Sequence, residues 1–180
     1  MKPKAKLETE AQGLKQPLSM MTTELIQTLV NNYRANQLLS IKETIGIEDA
    51  HSIQFDFTTL KRFIYDIETL ALEGNSGINA EDLGIRFYYA AYPNAENWGI
   101  MGDTPIGIEC AEMHTLVMVP TIKRKGEDGE IGNYDFNPLD INGKGTIAKA
   151  FGKDSGIDPE FVCQNHGNLV PPDNSKTELF

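Results

Sequence analysis

"IRFYYAAYP", residues 85–93, and "HTLVMVPT", residues 114–121, decide the fold of this chain. The first alternates with a period of two, so Ile85, Phe87, Tyr89 and Ala91 face one side and Arg86, Tyr88, Ala90 and Tyr92 the other, until Pro93 ends the run. The second is an almost unbroken apolar run closed by Pro120, the pattern of a strand covered on both faces. "KRKGEDGE", residues 123–130, reads as a charged hairpin loop, and "IGNYDF", residues 131–136, as the returning strand.

Upstream of these strands the period is helical. Ser19 is placed to cap a helix whose apolar stripe is Met21, Leu25, Leu29 and Tyr33, widened by Ile26 and Val30. A less regular piece, residues 36–50, follows. Asp56 then caps a second helix from Phe57, with Leu60, Ile64, Ile67 and Ala71 on one face, Phe63 and Leu70 flanking it, and Gly74-Asn75 as the stop. Helices first and strands later, without strand–helix–strand repeats, predict an α+β fold: two N-terminal amphipathic helices packed on a small, mostly antiparallel sheet with long loops. At 180 residues one domain is expected, with residues 1–18 as an extended lead, 19–180 as the domain and a Pro-rich arm at the C-terminal end. "GTIAKAFG", residues 145–152, reads as a short helix.

Sixteen basic against 26 acidic side chains leave a net charge of −10, which opposes binding to phosphate backbones and anionic lipid, so neither nucleic acid nor a membrane is an expected partner. No apolar run approaches membrane-spanning length, no signal-peptide core follows the first lysines, and two cysteines are too few for a disulfide scaffold. These features predict a cytoplasmic protein.

Four of the five Cys and His side chains fall into two pairs, Cys110-x3-His114 and Cys163-x2-His166, a donor set of the kind zinc accepts. Fully extended, residues 110 and 114 would stand about 13 Å apart, so such a site requires Cys110 to lie in a turn ahead of the strand. A free Cys is also a common small buried hydrophobe, and Asn165-His166-Gly167 suits a turn that needs positive φ. No oxyanion hole or third orienting group accompanies Cys163, so no residue is assigned a catalytic role. Around Asp140, a calcium loop fails because Lys144 and Phe151 fall where oxygen ligands belong, and a phosphate loop fails for lack of its first glycine.

The segments "GIRFYY", "HTLVMVPT" and "NHGNLVPP" resemble, in that order, those of a group of small bacterial proteins of the Bacteroidota type with no assigned activity. The resemblance implies a shared fold over about residues 83–172 and a shared role for His114 and for Asn165-His166-Gly167; it implies no mechanism. Cys110 and Cys163 stand outside it.

Two readings follow. In the first, the chain is a non-enzymatic module that binds a protein partner or forms a homo-oligomer, without a cofactor, and its contact surface is Arg86, Tyr88 and Tyr92 with Trp98 from the long 94–113 insertion. In the alternative, His114, Cys163 and His166 hold zinc, in a metal-stabilised domain or a metal-dependent hydrolase with Glu112 as a nearby base.

Overall fold

The computed structural model describes residues 20–74, 77–126, 128–139, 162–165 and 167–172. The fold is α+β, with the α-helices ahead of the three-stranded antiparallel sheet and one short strand between them. Strands β2 (Leu83–Ala91), β3 (His114–Lys125) and β4 (Ile131–Asp135) form a three-stranded sheet in the order β2-β3-β4, while β1 (Ser52–Gln54) pairs with β5 (Asn168–Val170) in a second, two-stranded sheet.

The first helical segment departs from the sequence reading in length and in orientation. Helix α1 (Thr23–Tyr33) is capped by Thr22, whose Oγ1 accepts the Leu25 N–H at 3.2 Å. The rod does not stop at Tyr33: it passes through a π turn (Arg34–Leu38) into α2 (Leu39–Ile45) and ends only at Gly46, whose left-handed φ of 82° lets its N–H bond Lys42 O. One extra residue in the π turn shifts the apolar phase, which is why the four-residue stripe fades after Tyr33 and the continuation looks irregular in sequence. Of the expected stripe, Ile26, Val30 and Tyr33 are partly buried, whereas Met21, Leu25 and Leu29 are about half exposed.

Helix α3 (Phe57–Gly74) opens where Asp56 accepts the Thr59 N–H at 2.9 Å and also holds the Thr59 hydroxyl. Its buried face is Phe63, Ile67 and Ala71, and Ile64 is exposed. Phe63 and Ile67 pack on Met118, the fully buried centre of β3, together with Leu83 and Ile85. Covering that face removes several large side chains from water at roughly 1.5–3 kcal/mol each.

Strand β3 runs five residues past Pro120, where the sequence reading closed it. The proline is tolerated because the edge partner changes there. Gln164 exchanges both backbone bonds with Met118, Phe136 N–H reaches Pro120 O at 2.8 Å, and the β4 ladder starts at Thr121. Pro120 N and O point to the same edge, where Phe136 uses the carbonyl, so the proline costs the β4 ladder only the one donor at its end.

Within the C-terminal arm, Asn168–Val170 forms a strand. Residues 162–165 lie beside β3, β5 pairs with β1, and Leu169 and Val170 are buried. Gly167 is buried, and a Cβ there would come within 2.4 Å of Ile53 Cγ2 and 2.7 Å of the Phe55 ring. Close approach, not positive φ, therefore requires glycine at this position. The expected helix over 145–152 lies outside the described residues.

Candidate functional site

The alternation of β2 places Arg86 and Tyr88 on the sheet face opposite α3. Both reach Asp135 on β4: Arg86 pairs with one carboxylate oxygen and the Tyr88 hydroxyl donates to the other, while Arg86 Nη2 donates to Asn133 O at 2.8 Å. The guanidinium also sits 5.9 Å from the Tyr88 ring centroid. On the α3 face, Ile85 is covered, but the next two positions, Phe87 and Tyr89, emerge from under the helix. Tyr89 is 92% exposed, Phe87 52% and Tyr88 42%, so three consecutive aromatic side chains stand in solvent. Among the described residues β2 pairs with β3 alone, which leaves its outer edge open.

Tyr92 and Trp98 do not join this surface. Past the end of β2, Tyr92 turns into a second core with Ala50, Cys110, Met113 and Leu169, and Trp98 packs against it with ring centroids 6.2 Å apart. The Tyr92 hydroxyl donates to Asn165 O and accepts from the Thr115 hydroxyl, tying the end of β2 and the start of β3 to the arm. An aromatic period of two carries no mark of where a strand ends, so sequence alone assigned Tyr92 to the exposed face.

Of the zinc set, Cys110 does lie in a 3-10 turn ahead of the strand, but its thiol belongs to this second core. Burial, with Glu109 adding to it, pushes the Cys110 thiol up and disfavours the thiolate that a ligand or nucleophile must be. Cys163 is exposed on the arm, and His166 lies outside the described residues. Glu112 is exposed, with φ of 64° at the turn that starts β3. Among the described residues no group of three or more His, Cys, Asp and Glu could hold a metal.

His114 has a different partner. Asp49, fully buried just after the helical rod, accepts the N–H groups of Ala50 at 2.8 Å and His114 at 2.7 Å, and its second oxygen meets His114 Nδ1. Three donors compensate a carboxylate that would otherwise be costly to bury. The imidazole itself is 40% exposed and forms part of the wall of a groove of about 1010 Å³ between the helical rod and the upper half of the β2–β3 sheet. Tyr33, Tyr89 and His51 line it as well, and Arg34 Nη2 stands 3.5 Å from His51 Nδ1. The Tyr33 phenol is pushed up, chiefly by burial and then by the charge of Asp49 and by Tyr89, so it keeps its proton at neutral pH. His114 was legible in the sequence as a candidate; Asp49 was not, because a lone Asp in "GIEDAHS" looks like an ordinary turn residue.

No protein family, curated protein or solved structure matches this chain, so its own geometry is what bears on function.

Proposed function

We propose that this protein is a non-enzymatic self-associating module in which two copies pair through β2. The carrying observation is a nine-residue strand, open on one side among the described residues, that holds three exposed aromatics in succession. Natural edge strands are ordinarily blunted by lysine, proline, bulges or a covering element, and Leu83–Ala91 contains no lysine or proline. The strand is also self-complementary. Antiparallel pairing about Phe87 sets Arg86 against Tyr88 of the second copy, Ile85 against Tyr89 and Leu83 against Ala91, with no like charges opposed. Such pairing joins two three-stranded sheets into one of six strands, and backbone bonds supply affinity while the aromatic pairs fix the register.

The exposed Met21, Leu25 and Leu29 stripe adds apolar surface of the kind that assembly covers. The global charge of −10 works against association, whereas β2 itself carries only Arg86. Phe87→Lys tests the reading, since it places two cations at the centre of the pairing while changing a side chain that is half exposed. The variant is expected to remain folded by circular dichroism and to sediment as a monomer. A variant that associates as the native chain does overturns the reading.

A further inference from the structure

The groove beside His114 shares only Tyr89 with β2, and we infer that it is a binding site for a planar, largely apolar small molecule bearing a hydroxyl group, whose O–H donates to His114 Nε2. Three observations carry this. The first is the fixed ring. Asp49 is itself held by two backbone N–H groups and receives Nδ1, so in the neutral imidazole the proton sits on Nδ1 and Nε2 is left as a hydrogen-bond acceptor. Among the described residues no hydrogen bond reaches Nε2, and the half-exposed ring lies in the groove wall while its carboxylate is sealed behind it, 0% exposed.

The second observation is the lining. Leu29, Ile41, Ile53 and Leu116 supply apolar wall and Tyr33 and Tyr89 supply ring faces, so a flat apolar ligand is favoured over a charged one. The third is size: about 1010 Å³ lies at the upper end of the range that small-molecule pockets occupy and admits two or three fused rings. An acceptor that a ligand covers in an apolar groove discriminates by the cost of leaving it unpaired, so His114 selects for the hydroxyl and the walls select for the ring system.

The test compares 2-naphthol with 2-methoxynaphthalene, which has the same rings and no donor, in fluorescence titrations of the full chain at about pH 8. Naphthol is expected to bind saturably and about tenfold more tightly than the ether, the worth of one hydrogen bond to a partly buried acceptor. In His114→Phe the two affinities should converge. Ser40→Trp should abolish binding of both, because it fills the groove from an exposed position on α2 and so leaves the fold intact. Equal affinities in the native chain, no saturable binding of either probe, or a hydroxyl preference that survives in His114→Phe would each overturn the inference. Phe87→Lys should bind naphthol as the native chain does, which separates this site from the association reading.

Discussion

The lower and upper halves of β2 are one strand in two different environments. At Leu83 and Ile85 the strand lies under α3, where Phe63 and Ile67 close over Met118; from Phe87 onward the same face leaves that cover and meets only the groove and solvent. The helical rod that flanks the upper half does not repeat what α3 does: none of its residues is fully buried, and Met21, Leu25 and Leu29 stand about half exposed. Similar apolar periodicity in the two helices thus has different outcomes. One helix completes a core, and the other leaves surface that a second molecule or a ligand is suited to cover.

The contrast breaks most directly in the core. Met118→Ala should cost about 2–5 kcal/mol in chemical denaturation, since it removes a side chain at 0% exposure, whereas Leu29→Ala, at half exposure, should cost less than about 1 kcal/mol in the monomer. Equal costs would mean that the rod is core in the same sense as α3. Next in size is Gly167→Ala, where the new methyl meets Ile53 and Phe55; a loss of about 1–3 kcal/mol is expected, and a neutral result would show that the arm is not tightly seated on β1.

How much of this was legible before the fold was known depends on the kind of signal. Alternation over 85–91 and the apolar run from His114 gave the two paired strands, and Asp56 gave the start of α3, because period and capping are local properties. The helical rod beyond Tyr33 was missed because a π turn breaks the phase without leaving a distinctive residue behind. Arg86 and Tyr88 share a face as read, but their common partner Asp135 sits 47 to 49 residues away, and Asp49 lies 65 residues from His114. Those pairings are set by topology. The role of Gly167 was misread for a related reason: a glycine needed for close approach looks the same in sequence as one needed for positive φ.

The smallest expected effect concerns acid. Hydrogen bonds from the Thr59 hydroxyl, then from the Thr59 and Thr58 backbone, hold the Asp56 carboxyl below its ordinary value. A carboxyl depressed by folding contributes stability that is present above the unfolded value of ~3.9 and is lost as pH falls through the lower folded value. Thermal melts should therefore show the native chain losing more stability than Asp56→Asn between about pH 5 and the acid limb, and identical profiles would remove Asp56 from the account.

The central claim, that β2 is an interface between copies, is tested most directly by sedimentation equilibrium of the untagged native chain across a wide range of concentration. The account predicts a reversible approach to twice the chain mass as concentration rises. A single chain mass at every concentration would contradict it.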